Sequence, residues 1–453
     1  MSLSQRLKQS SGPHPPSPPG SGGPPPPPTD LESYQKLKST LHSAIVEKLD
    51  LDTINRLSPT ELRDEIANLL GQIVADRNLP LNRREREQMV QELLDEILGL
   101  GPLEALLHDP SVSDILVNTS GTIYVERFGR LELTNFRFRD NDHLLQTINR
   151  IVARVGRRVD ETSPMVDARL HDGSRVNAII PPLAVDGPIL SIRRFGGKPL
   201  RIADMIIFES LTEPMVRFLE GAVKAKLNIL ISGGTGTGKT TMLNALSSFI
   251  PSTERIITIE DAAELQLQQP HVVRLETRPP NVEGKGEIIA RDLVRNSLRM
   301  RPDRIIVGEI RSTEVLDMLQ AMNTGHEGSM ATIHANAPRD ALNRMAAMVG
   351  LTGITMSEQV MSQTVSRALD LIVQLQRGTD GKRRCVSICE VTGAEGTVIQ
   401  LQEIFTFQQR GVGGDGKVIG EFSATGTRPR CMERFERAGM TLDPAVFRAT
   451  GRR

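Results

Sequence analysis

Eight residues constrain this chain more than anything else in it. Gly233-Gly234-Thr235-Gly236-Thr237-Gly238-Lys239-Thr240 fills every required position of the phosphate-loop pattern. The context is as demanding as the pattern. Ile229-Leu230-Ile231 ahead of it reads as a buried strand, and Thr240-Thr241-Met242-Leu243 opens a helix-forming run. Glycines let the backbone wrap tightly and aim its N–H groups inward as a nest for phosphate oxygens. The following helix presents its positive end to the same anion. Lys239 reaches the β- and γ-phosphates, and Thr240 offers its hydroxyl to Mg2+. The expected cofactor-binding set is therefore Gly233, Gly234, Thr235, Gly236, Thr237, Gly238, Lys239, Thr240 and Thr241.

Hydrolysis needs more: a group to orient or activate water, and others to hold the metal, at the carboxyl ends of neighbouring strands. The strand Arg304-Ile305-Ile306-Val307 runs into Gly308-Glu309, and Ile256-Ile257-Thr258-Ile259 runs into Glu260-Asp261, with Glu264 a turn later. Two acidic strand ends behind a phosphate loop suit Mg2+-assisted attack on a γ-phosphate. His334, closing the stretch Gly325 to Ala335, stands at the end of another strand run. Its position alone leaves packing, capping or γ-phosphate sensing open.

The order of elements around the loop is alternating. Strands at 228–232, 256–260, 304–308 and 330–334 are separated by helical segments, which predicts an α/β domain with a parallel sheet covered on both faces. Past Leu369 the pattern turns strand-like, so a β-rich element closes this domain, read as 198–453. Before it, 108–197 reads as a mixed α/β domain with a hairpin at 114–126, a helix across 143–155, and a Gly-Gly-Lys-Pro linker. Residues 31–107 read as a small helical bundle; Ser58-Pro59-Thr60-Glu61 and Asn82 with Glu85 are its helix starts. Ten of the 28 prolines crowd between Pro13 and Pro28, so 1–30 reads as an extended tail unable to bury a core.

Composition excludes some classes. Lysine plus arginine equals aspartate plus glutamate at 55 each, which removes the basic excess of a nucleic-acid coat protein. Cys385, Cys389 and Cys431 lack metal-ligand spacing and suit a reduced compartment. No apolar run is long enough to span a bilayer and the N-terminus has no signal core, so membrane contact is expected through partners.

Taken together, the motifs resemble the secretion ATPase superfamily of type II secretion, type IV pili and type IV secretion. The nearest likeness is the CpaF-type ATPase of the Tad (Flp pilus) system. Markers run in order along the chain: Leu100-Gly101-Pro102-Leu103-Glu104, Ser111-Val112-Ser113-Asp114-Ile115, Glu161 to Leu170, Ser191-Ile192-Arg193-Arg194-Phe195 and Arg301 to Arg311. The resemblance implies a RecA-like P-loop ATPase core preceded by a PAS-like α/β domain. Thr258 to Glu264 resembles the family's Asp box, Ile305 to Glu309 its Walker B and Gly325 to Ala335 its His box. It implies Glu309 as the catalytic carboxylate, Glu260 as its assistant with metal or water, and His334 at the nucleotide. Gly308 stands where a metal-holding aspartate often does, which leaves Mg2+ to Thr240, water and acids such as Glu260.

The resemblance further implies a homo-hexamer in the bacterial cytoplasm, peripheral to the inner membrane, working on platform proteins of a pilus or secretion system. Arginines of the PAS-like domain would neutralise charge on a neighbour's γ-phosphate, with Arg175, Arg193 and Arg194 as candidates. Strand alternation turns Arg193 and Arg194 to opposite faces. The four-cysteine zinc element of the type II and type IVa branches is missing, which favours the Tad-like branch. Two other classes compete. A DNA translocase would want aromatic stacking platforms, and aromatics are only 3% of this chain. A non-hydrolysing scaffold would not need Lys239, Thr240 and Glu309 together.

Overall fold

The computed structural model describes residues 58–449 except 80, 128, 196–199 and 281–283, together with several positions between 37 and 48. The proline-rich tail and the Gly-Gly-Lys-Pro linker lie outside the described residues. The chain divides into two compact units, Met1–Phe195 and Gly196–Arg453.

In the first unit both helix starts act as their local chemistry requires. The Ser58 hydroxyl accepts from the Glu61 N–H at 3.3 Å, while the Glu61 carboxylate accepts from the Ser58 N–H at 2.8 Å. Each partner thus satisfies an N–H that helix α1 (Pro59–Asp76) would otherwise leave open. Asn82 and Glu85 do the same for α2 (Arg83–Ile97). Leu62, Ile66, Leu70 and Ile73 recur on one face of α1 and pack with Met89, Leu93 and Leu94.

Leu100, Leu103 and Leu106, around α3 (Glu104–His108), join a different core. That core lies under an antiparallel sheet of six strands. They are β1 (Val112–Thr119), β2 (Thr122–Arg127), β3 (Arg130–Leu133), β4 (Met165–Arg169), β5 (Arg175–Ile179) and β6 (Ile189–Arg193), in the order β3-β2-β1-β6-β5-β4. Ile115, Val117, Val176, Ala178, Leu190 and Ile192 alternate onto one face. There they bury Leu144, Ile148, Ile151 and Val152 of α4 (Asn141–Arg154). The other face is charged. Arg169 pairs across with Arg175, Arg175 with Arg193, and Arg193 with Asp114.

The second unit opens with α5 (Ile202–Ile207), α6 (Glu213–Lys224), β7 (Ile229–Gly233), α7 (Lys239–Ser247), β8 (Ile256–Glu260) and β9 (Val272–Glu276). It continues through α8 (Ala290–Ser297), β10 (Arg304–Ile310), α9 (Glu314–Asn323), β11 (Met330–Ile333), α10 (Pro338–Gly350) and α11 (Glu358–Ala368). It closes with β12 (Leu371–Arg377), β13 (Arg383–Glu395), β14 (Val398–Val412), β15 (Val418–Ala424) and α12 (Met432–Arg437). The nine strands form one sheet, β15-β14-β13-β12-β7-β11-β10-β8-β9. The run from β12 to β9 is parallel; β13, β14 and β15 add antiparallel to β12.

The β-rich end of the chain is therefore an extension of the main sheet. The open edge of β12 offers a row of backbone donors and acceptors, and the hairpin that follows pairs with them. Both faces of the parallel part are covered. Ile229 and Ile231 point into a core with α6, α7 and α12, while Leu230 between them points into a second core with α8 to α11. The three cysteines are buried thiols. Among the described residues no helix is long and apolar enough to cross a membrane.

Candidate functional site

Because β7, β11, β10 and β8 are parallel neighbours, their carboxyl ends open on one edge of the sheet. Ligands of open α/β sheets bind at such an edge. Gly233 ends β7 in a space that admits no side chain: a Cβ there would lie 2.9 Å from the Leu375 carbonyl oxygen. Gly236 and Gly238 follow with φ of +70° and +93°, which glycine adopts without strain. The Thr237 hydroxyl donates to the Gly234 carbonyl at 2.9 Å, bracing the loop from inside. Lys239 donates Nζ to the carbonyls of Gly233 and Gly234, each at 3.0 Å. Burial lowers its pKa, while Glu309 acts to raise it. Phosphate oxygens are stronger acceptors than these carbonyls, so the same ammonium can turn to an anion held in the loop. Thr235 is exposed at the tip, and Thr240 and Thr241 are half-buried in the first turn of α7.

Glu260 closes β8 and is buried. Its Oε2 accepts the N–H groups of Glu264 (2.8 Å) and Leu265 (3.0 Å), which fixes the carboxylate. Its Oε1 is buried and without a hydrogen-bond partner. Burial pushes its pKa up to about 7 against the pull of those two N–H donors. The place of Gly308 follows from this carboxylate. A Cβ on Gly308 would lie 2.8 Å from Glu260 Cγ, so the position where an aspartate would stand is filled by the side chain of Glu260. Glu309, the next residue, is paired: its Oε2 accepts from Arg311 Nε at 2.7 Å and forms an ion pair with Nη2 at 2.5 Å. Arg311 also donates to Asp261 at 3.0 Å, tying the ends of β10 and β8 together. Arg311 carries no motif signal of its own, and its partner Asp261 lies 50 residues from it in the chain.

His334 follows β11 and is half-buried. The Ala335 carbonyl after it accepts from Ser232 Oγ (3.4 Å) and Gln374 Nε2 (3.2 Å), holding this segment against β7 and β12. Asn336 Oδ1 lies 3.8 Å from where a Cβ on Gly234 would stand, an approach to the phosphate loop that no local pattern announces.

The three arginines belong to the first unit. Arg175 and Arg193 share its charged face, with Arg169 completing the row, and Arg193 donates to Asp114 at 3.1 Å. Arg194 faces the other way. Its Nη1 donates to the carbonyl of Val112 at 3.1 Å and also to that of Asp109, within its own unit.

Residues 96–413 match the protein family described as Type II/IV secretion system protein. The chain belongs to this family of secretion-system ATPases. Residues 34–98 match a second description, Type II secretion system protein E, N-terminal domain. A putative conjugal transfer protein of Mycobacterium tuberculosis is 37% identical over 312 residues, covering 68% of this chain and 88% of its own length. The type IV secretion system protein VirB11 of Brucella suis biovar 1 is 29% identical over 316 residues, covering 64% of this chain and 88% of its own. The crystal structure of the VirB11 ATPase from the Brucella suis type IV secretion system, in complex with sulphate, covers 64% of this chain and 92% of that one at 28% identity. Its TM-score is 0.36, so the family assignment rests on sequence.

Proposed function

We propose that this chain is a Mg2+-dependent ATPase working as a homo-hexameric motor for a pilus or secretion machine, of the CpaF type in Tad/Flp pilus assembly, through inner-membrane platform proteins. The observation that carries the reading is convergence on one sheet edge. A braced phosphate loop, a fixed buried carboxylate with one unpaired oxygen and a second carboxylate at the next strand end meet there. A RecA-like core with a PAS-like domain before it is part of the same reading.

The same reading assigns the roles. Backbone N–H groups of the loop and Lys239 bind the phosphates. Mg2+ is commonly held by one or two carboxylates plus phosphate and water rather than by a protein cage. Thr240 and the buried, unpaired Oε1 of Glu260 are the oxygens this reading assigns to such a set. When bound, the ion would neutralise charge on the β- and γ-phosphates. Glu309 orients the attacking water and takes its proton. His334 stands at the nucleotide end, and Arg175 or Arg193 serves a neighbouring subunit. The absence of the four-cysteine element and the secretion and conjugation relatives support the branch and the task.

Steady-state ATP hydrolysis by the purified full chain, run beside a mass measurement, tests the proposal. Mg2+-dependent turnover in a species of six chains is expected. Tight ATP binding without turnover in the assembled form would overturn the motor. The relatives named for conjugal transfer favour one second reading, a DNA-linked motor. Turnover stimulated by DNA, with steep salt dependence, would select it.

Gly308→Ala probes the Glu260 position directly. The new Cβ, 2.8 Å from Glu260 Cγ, displaces the carboxylate. Turnover is expected to fall about a hundredfold while ATP binding is retained. An unchanged rate would show that the position of Glu260 does not matter to the reaction.

A further inference from the structure

The phosphate loop has close neighbours from the other end of its unit. Strand β12 runs parallel to β7 with Leu375 opposite Gly233, so β12 passes the start of the loop and ends beside it at Arg377. The chain turns and comes back as β13, where Arg383 is the cross-strand partner of Arg377. Directly paired residues of an antiparallel hairpin lie on one face. Both guanidiniums therefore stand at the same level, and they stand against the loop. Arg383 Nε donates to the Gly236 carbonyl at 2.9 Å. Its Cδ is 3.4 Å from a Cβ placed on Gly238, and Arg377 Nη1 is 3.8 Å from a Cβ placed on Gly236.

The hydrogen bond has a consequence inside the loop. In a trans peptide the carbonyl and the following N–H point in opposite directions. Holding the Gly236 carbonyl outward on Arg383 therefore turns the Thr237 N–H away from Arg383, toward the concave side that receives phosphate. The basic run around Arg383 divides by partner. Lys382 pairs with Glu209, and Arg384 pairs with Asp380 and lies over the Phe407 ring at 5.2 Å. Arg383 has no carboxylate partner among the described residues; its contact is the loop. Arg377 and Arg383 are both exposed, so they add positive charge at the mouth of an anion site without the cost of burying it.

We propose that Arg377 and Arg383 complete the nucleotide site from within the same subunit: Arg383 as a positioning residue that sets the Gly236–Thr237 peptide, and Arg377 as a cation contacting the phosphate chain of the bound nucleotide. The proposal rests on the nucleotide-binding reading above and extends it. Since it places Arg377 at the loop apex and away from the Glu309 end, the contact is to phosphates that nucleoside di- and triphosphates share. ADP and ATP should feel its loss equally.

The test titrates the full chain with ADP and with a non-hydrolysable ATP analogue, for wild type, Arg377→Ala, Arg383→Ala, Arg383→Lys, Lys382→Ala and Lys239→Ala. Arg377→Ala and Arg383→Ala are expected to weaken both nucleotides by about tenfold, to the same degree for each. Arg383→Lys should behave like Arg383→Ala, because an ammonium keeps the charge but loses the Nε donor held beside Gly236. Lys382→Ala, one residue away and facing Glu209, should bind as wild type.

Wild-type affinity in both arginine variants would overturn the inference, as would a loss for Lys382→Ala equal to that for Arg383→Ala, which would indicate a general charge effect. Selective loss of the triphosphate analogue would also overturn it, moving Arg377 to the γ-phosphate. The underlying reading fails separately: a wild-type chain that binds neither nucleotide, or a Lys239→Ala variant that binds both normally, would remove the site itself.

Discussion

Glu309→Gln is expected to lower ATP turnover by about a thousandfold while leaving nucleotide binding intact. The substitution is nearly isosteric and keeps an oxygen that can accept from Arg311, now held at 2.7 Å by Nε and 2.5 Å by Nη2. The strand end should therefore stay in place. The amide cannot take a proton from water, so the loss falls on the chemical step. Binding is carried by the loop and Lys239, whose donors do not involve Glu309. Single-turnover hydrolysis beside an equilibrium titration separates the two. A Gln variant that turns over like wild type would remove Glu309 as the base and move attention to Glu260, the other carboxylate on this edge.

The second large effect is on stability. Arg304 opens β10 and is fully buried, at 0% exposure. It donates Nε to Glu254 Oε2 at 2.5 Å, Nη2 to Glu254 Oε1 at 3.2 Å and Nη1 to the Gly328 carbonyl at 3.2 Å. Glu254→Gln removes the charge that makes this burial tolerable. Breaking a buried pair from one side costs about 3–5 kcal/mol, because the remaining ion is uncompensated. The unfolding midpoint of the second unit should fall by about 10 °C. Glu213→Gln is the contrast. Its pair with Arg217 is solvent-exposed and one helical turn long, and exposed pairs contribute about 0.5 kcal/mol. Thermal melts that shift equally for the two variants would refute the argument, since it depends on burial alone.

Much of this is legible in the sequence, for a common reason. Capping boxes at Ser58 and Asn82 join residues three apart, so a linear pattern contains the whole interaction. The phosphate loop is eight consecutive residues whose glycines and lysine act on one another. The buried runs at 229–231 and 304–307 name their strands, and strands alternating with helices name a parallel sheet. Its carboxyl edge then collects Lys239, Glu260, Glu309 and His334 without further information. The closing strands were legible as strands but not as part of this sheet, because strand pairing depends on which edge is open.

By itself, then, the sequence determined the local chemistry: a loop shaped for phosphate, acids and a histidine at strand ends, helices with their caps, and membership of a family through many ordered markers. Only the tertiary structure decided how those groups are held and by what. It put Glu260 in the space that Gly308 vacates, tied Arg311 to Asp261, turned Arg194 onto backbone carbonyls, buried Arg304 against Glu254 and laid Arg383 on Gly236. The physical reason is sequence separation. Each of these contacts depends on strand register, on which face a residue takes, or on the space a distant glycine leaves, and those are properties of packed elements that no short window of the chain contains.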